Sequence, residues 1–208
     1  MDKKITIMTV LPEGIAIGLK NVASLLGAVV LYVLTIWIPY LNVGTTIAMA
    51  TIPIELAKGK IINPLFIFDA KYRKYMGDYF ILVGLQFIAT YVAFCFFIIP
   101  GIILSISWSL SVYLLLDKKV SPLKSLDMSN KATYGYKWTI FGVQFLIGLA
   151  IGLVGGLLGL IPVVGTFLVI VVAICAMPIM LGCNTVIYKK LILEEGNNET
   201  ETNTVEEL

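Results

Sequence analysis

The sequence predicts an all-α membrane protein, with six transmembrane helices forming three parallel-repeated helical hairpins joined by short interfacial cytoplasmic helices. Three observations predict it. Hydrophobic residues make up 59% of the chain and charged residues only 13%, against about 25% charged in a soluble domain. Every Lys, Arg, Asp and Glu lies outside three apolar stretches or at their open ends. A charge at the bilayer centre costs about 2.5–3.5 kcal/mol on insertion scales, so this sorting marks a membrane chain. Each stretch also folds over an Ile-Pro pair: Ile38-Pro39, Ile99-Pro100 and Ile161-Pro162, spaced 61 and 62 residues apart.

A bilayer core about 30 Å thick needs roughly 20 helical residues. The hairpins span about 21–57, 79–116 and 138–188, and proline breaks the helix where each chain reversal falls. The run Val22 to Ile38 is too long for a signal-peptide core and predicts a retained helix. The 101–116 leg is short, and either spans or re-enters. Residues 1–193 form one membrane domain. The 194–208 tail carries six glutamates, no base and few large apolar side chains, which predicts a disordered acidic cytoplasmic segment. Cys95, Cys175 and Cys183 lie in apolar segments without metal-site spacing, and predict buried free thiols.

The hairpin units repeat. Asn63-Pro64-Leu65 is followed by Asp69, Gly77, Gly84 and Gln86-Phe87; at an offset of 58, Ser121-Pro122-Leu123 is followed by Asp127, Gly135, Gly142 and Gln144-Phe145. A two-helix unit returns to its starting side, so the repeats are parallel. Three of them can surround a pseudo-threefold axis normal to the membrane. All fifteen Lys and Arg fall in the N-terminus, the 58–78 and 117–137 connections, or the segment ending at Lys190. The positive-inside rule then places both termini in the cytoplasm and the three Ile-Pro tips outside. The Asn198 sequon would be cytoplasmic and unmodified.

Both connections open with a helix-start signal, Asn63 or Ser121 before Pro64 or Pro122. In the first, Leu65, Phe68, Tyr72, Tyr75 and Met76 share a helical face flanked by Lys71, Arg73 and Lys74, which predicts an interfacial amphipathic helix. The second has a poorer stripe of Leu123, Leu126 and Tyr134. Asp69 and Asp127 occupy equivalent places and are expected to pair with a nearby Lys or donor. These residues and Lys137 form the candidate cytoplasmic interface, either a simple connection or a docking surface for membrane lipids or a protein.

Inside the spans, Gly148, Gly152 and Gly156 recur every fourth residue and predict close helix packing, within the chain or with a second copy. Gln86, Gln144, Asn42, Thr45 and Asn184 are candidates for interhelical hydrogen bonds or for lining a polar path. Ser105, Ser107, Ser109 and Ser111 are expected mostly to bond back to carbonyls of the preceding turn. No ionisable group falls at mid-membrane, which disfavours ion-coupled transport. The sequence offers no catalytic residue, cofactor motif or metal cluster, and its short basic connections lack the context of a nucleic-acid module.

Ile99-Pro100-Gly101, Leu116-Asp117, the run from Ser121-Pro122-Leu123 to Ser129, and Gly135-Tyr136-Lys137-Trp138 together resemble a bacterial pattern. It is that of the membrane domain fused to some glycerophosphoryl diester phosphodiesterases, and of its stand-alone relatives. The likeness covers roughly residues 80 to 190. It implies a helical domain of the bacterial cytoplasmic membrane and no phosphodiesterase activity, since the catalytic domain is absent and the chain has no histidine. The expected function is non-enzymatic: organising or binding partners at the membrane. The alternative is a small channel or passive facilitator around a pseudo-threefold or homo-oligomer axis.

Overall fold

A computed structural model of the chain describes residues 5–162 and 164–194, and these are almost wholly helical, with no strand among them. In order they form α1 (Ile7–Lys20), α2 (Val22–Thr35), α3 (Pro39–Ala57), 3-10 helices at Pro64–Phe68 and Ala70–Tyr75, α4 (Met76–Phe96), α5 (Ile98–Ser107), α6 (Ser111–Lys118), α7 (Pro122–Thr133), α8 (Lys137–Gly159) and α9 (Val164–Tyr188). A π-helical turn, Lys189–Leu193, continues α9. The expected acidic tail beyond Glu194, with its Asn198 sequon, lies outside the described residues.

Four helical segments are long and apolar enough to cross a membrane: Ala70–Phe96, Ile98–Lys118, Lys137–Gly159 and Val164–Leu193. The number rises to five if α1 and α2, bent by 79° at their junction, count as one broken span. This is fewer than the six expected, and the difference lies in the first hairpin. Its leading helix α2 has 14 residues, about 21 Å at 1.5 Å per residue. Its partner α3 has 19 residues, of which nine are buried in the protein, and Asn42, three threonines and Glu55 dilute its apolar character.

The first tip meets a base of the connection that follows it. After Ala57 the basic connection folds back along α3, so that the Arg73 guanidinium lies 5.3 Å from the centre of the Tyr40 ring. Arg73 therefore lies beside the start of α3 and the Ile38-Pro39 tip, whereas Lys58 and Lys60 lie at the other end of that helix. Ser24 on α2 donates to the Ile62 carbonyl of the same connection.

A packed helix also precedes the first expected hairpin. Helix α1 crosses α9 at backbone contact distance: a Cβ on Gly14 would meet Cys183 Sγ at 2.5 Å, one on Gly18 would meet the Pro178 carbonyl at 2.6 Å, and one on Gly182 would overlap the Gly14 carbonyl. Around this crossing lies the main core, including Val10, Leu25, Ile47, Ile52, Leu114, Ile187 and Leu191. In contrast, the most apolar windows of the spans containing α4, α8 and α9 are only 6, 11 and 11% buried. Their outward Leu, Ile, Val and Phe side chains match lipid tails, which need no protein partner.

Similar start signals give different connections, and only Asn63, not Ser121, caps with its side chain. Asn63 accepts from Leu65 N–H as a cap, and Pro64 opens the first 3-10 helix. At Asp69 the backbone turns extended and the carboxylate caps Lys71 N–H, dividing the segment in two. The expected amphipathic α-helix is thus replaced by 3-10 turns that bury Ile67 and Tyr72 while Leu65 and Phe68 are exposed. In the second connection Asp127 pairs with Lys131 one turn on, and α7 runs unbroken from Pro122 at its first turn. Its buried face is polar, formed by Ser125, Ser129 and Thr133 beside Leu126, whereas Leu123 and Tyr134 are exposed.

Candidate functional site

The polar face of α7 serves a break in a span. Between α5 and α6, residues Trp108 to Leu110 leave the helical ladder, and apolar surroundings make free backbone groups there costly. The Ser129 hydroxyl donates to the Ser107 carbonyl at 2.7 Å and accepts from Leu110 N–H at 3.2 Å. From the other side, the Gln86 amide donates to the Trp108 carbonyl at 2.9 Å and to Ser111 Oγ at 2.8 Å. Ser105, Ser107, Ser109 and Ser111 each donate to a carbonyl three or four residues earlier.

The remaining intramembrane candidates are dispersed. Asn42 donates to the Ile36 carbonyl and accepts from Thr46, closing the first tip. Thr45 is fully buried and donates to the Asn42 carbonyl. Gln144 and Asn184 line one small cavity of about 100 Å³ between α8 and α9, together with Gly148 and Cys183. The internal partner expected for Gly148, Gly152 and Gly156 is absent, since a Cβ on any of them would find open space within 4 Å among the described residues. The close glycine crossing belongs to Gly14, Gly18 and Gly182 instead. Gly14 and Gly18 share the same four-residue spacing but fall before the first expected span. The three cysteines are free, but only Cys183 is buried; Cys95 and Cys175 are exposed on the apolar arms.

At the charged end the structure builds a cluster that the sequence did not reveal. Asp117, its side chain 8% exposed, ion-pairs with Lys58 and accepts from the Tyr188 hydroxyl at 2.5 Å. It ties the ends of α3, α6 and α9 together. Lys190 beyond α9 pairs with Glu13 of α1 at 2.6 Å. These partners are 59, 71 and 177 residues apart in the chain. Only the Leu116-Asp117 pair had drawn notice in the sequence.

The basic connection lines a surface cavity of about 480 Å³, bounded by Lys60, Lys71, Lys74, Asn63, Tyr72 and Tyr75, with Glu55 on its wall. Lys60 pairs with Glu55 at 2.7 Å and Lys71 with Asp69 at 2.9 Å. Lys74 lies 5.3 Å from the Tyr75 ring centre. The Lys71 backbone N–H and then its ammonium hold the Asp69 carboxyl below the usual carboxylate range. Arg73 faces Tyr40 rather than this cavity. In the second connection, Asp127 and Lys131 form an exposed pair, and Lys137 donates to Asn130 Oδ1 at 3.0 Å.

A second cavity, of about 340 Å³, is an open cleft where α2, α3, α4, α6 and α9 meet. Tyr32 and Thr46 share a 3.2 Å hydrogen bond on one wall. Tyr79, Tyr113 and Asn184 reach it from α4, α6 and α9. No group of three His, Cys, Asp or Glu side chains among the described residues is placed to hold a metal ion.

Compared with family models, curated proteins and solved structures, the chain matches none. The class it defines rests on its own geometry: an all-helical protein with four or five helices long and apolar enough to cross a membrane.

Proposed function

We propose that the chain is a non-enzymatic multi-pass protein of the bacterial cytoplasmic membrane, with both termini cytoplasmic, that binds a partner through the face built by its basic connections. The observation that carries this reading is the cavity between α3 and the first connection, where Lys60, Lys71 and Lys74 surround one opening and only Glu55 opposes them on its wall. Basic cavities at the cytoplasmic ends of membrane helices suit anionic lipid headgroups or an acidic segment of another protein. Counted as four, with the bent α1–α2 pair not crossing, the spans support termini on one side, and the enrichment of bases outside the apolar stretches supports that side being the cytoplasm.

A facilitator would need its polar side chains to converge on one path. Gln86 is held at the α5–α6 break and Asn42 and Thr45 at the first tip, so three of the five candidates are committed to local bonds. That arrangement favours partner binding over conduction. Photocrosslinking in intact cells tests the reading, with a photoreactive residue at Lys74 or at Leu153 on the apolar arm. A defined protein or anionic lipid captured at Lys74, and lost when Lys60 and Lys71 become Glu, is expected. Capture at Leu153 alone, or capture at Lys74 indifferent to the charge reversals, contradicts it.

A further inference from the structure

We infer that the cleft between α2, α3, α4, α6 and α9 is a binding site for an uncharged, lipid-soluble molecule carrying a hydrogen-bonding oxygen on an apolar body. Cavities that hold small molecules are commonly about 300–1,000 Å³, mostly apolar, with a few convergent polar groups. This cleft has that size, about 340 Å³. Its apolar lining includes Met49, Met177 and Met180, whose flexible thioethers adapt to irregular shapes.

The polar groups set the chemistry. Tyr79, Tyr113 and Asn184 all line the cleft, and none of their side chains has a hydrogen-bond partner among the described residues. No buried side-chain nitrogen or oxygen among those residues lacks a partner. The Tyr113 hydroxyl and the Asn184 amide are therefore accessible rather than sealed in the core, Asn184 standing between this cleft and the small cavity beside Gln144. Two phenols and one amide can donate to and accept from a hydroxyl or carbonyl. No Lys, Arg, Asp or Glu lines the cleft, so an ionised ligand would bury its charge without a counterion. The lining residues of α4, α6 and α9 belong to three of the four candidate spans, which gives a membrane-dissolved molecule access.

Two sources carry this chemistry: a free long-chain alcohol or ketone, and the glycerol-ester region of a bilayer phospholipid. The test uses the full chain in nanodiscs and a long-chain primary alcohol bearing a diazirine. Saturable labelling of peptides containing Tyr79, Tyr113 or Met177 to Asn184, displaced by excess 1-hexadecanol, is expected. Removing one hydrogen bond should weaken displacement by about five-fold in Tyr113→Phe and in Asn184→Leu. Asn184→Leu should itself raise the melting temperature of the unliganded protein, because it replaces an unpartnered amide, so a folding failure is distinguishable from lost binding. Repeating the labelling in ether-linked lipids separates the sources. A rise in labelling marks an ester lipid as the resident competitor, and no change marks a free molecule. Non-saturable label spread over Leu153 and Val171, unchanged in both variants, would overturn the assignment.

Discussion

Where α1 crosses α9 and Asp117 reaches Lys58 and Tyr188, side chains are buried against one another. Along α4 and the Ile-Pro ends of α8 and α9, side chains of the same apolar kinds stay largely exposed: Phe87 is 69% exposed and Leu157 is 69% exposed. The difference teaches where this fold is specified. In a bilayer, apolar association gains little over lipid, so shape, small residues and hydrogen bonds decide which helices meet. The charged end holds the glycine crossing, the buried Asp117 cluster and the serine-capped helix break. The arms hold apolar side chains that lipid satisfies equally well.

The contrast breaks most sharply at glycine. Gly182→Leu must push α1 away from α9, where a Cβ already overlaps the Gly14 carbonyl; no folded protein should survive detergent extraction. Gly152→Ile on the open arm should change the unfolding free energy by less than about 0.5 kcal/mol. Size-exclusion profiles and thermal melts compare the two. An equal loss for Gly152→Ile would show that the α8 face packs against another subunit.

Asp117 and Asp127 compare two carboxylates, one inside the charged end and one on its surface. Asp117→Asn removes the counterion of Lys58 and the acceptor of Tyr188, and should cost about 2–3 kcal/mol by denaturant unfolding. Asp127→Asn breaks only an exposed pair with Lys131, expected to cost about 0.3–0.5 kcal/mol.

At the helix break, Ser129→Ala leaves the Ser107 carbonyl and Leu110 N–H without their shared partner. A cost of about 1–3 kcal/mol follows. Ser105→Ala, which removes a bond to a carbonyl on its own helix, should be near neutral. The smallest effect concerns pH. The folded-state carboxyl of Asp69 is lowered by Lys71, so its contribution is present above the ordinary Asp value of about 3.9 and is lost as pH falls through the lower folded value. Asp69→Asn should leave the melting temperature at pH 7 nearly unchanged and alter only the acid limb below about pH 4.

Much of the second and third hairpins was legible in the sequence, because length and hydropathy set by a bilayer leave few options. Proline after Asn63 and Ser121 marked the starts of both connections, and the serine run bonds back to its own carbonyls. The first hairpin was the least legible, because an Ile-Pro pair marks a reversal without fixing its depth. Arg73 reaches Tyr40 only once the connection folds back along α3. Glycine spacing on α8 was more conspicuous than on α1, but spacing cannot name the partner helix. The polar face of α7 reads as a weak apolar stripe until the break at Trp108 to Leu110 is known. Asp117, Lys58 and Tyr188 meet across chain separations that no local pattern encodes.

We propose that the second and third hairpin tips cross the bilayer, while the first, where Arg73 meets Tyr40, stays on the side of the bases. Single cysteines at Tyr40, Phe97 and Leu160, in a background with the three native cysteines replaced, test it by labelling with a membrane-impermeant maleimide from either side. Labelling of Phe97→Cys and Leu160→Cys from the outside only, and of Tyr40→Cys from the cytoplasmic side only, is the predicted result. Labelling of Tyr40→Cys from the outside together with the other two would contradict the account and restore three spanning hairpins.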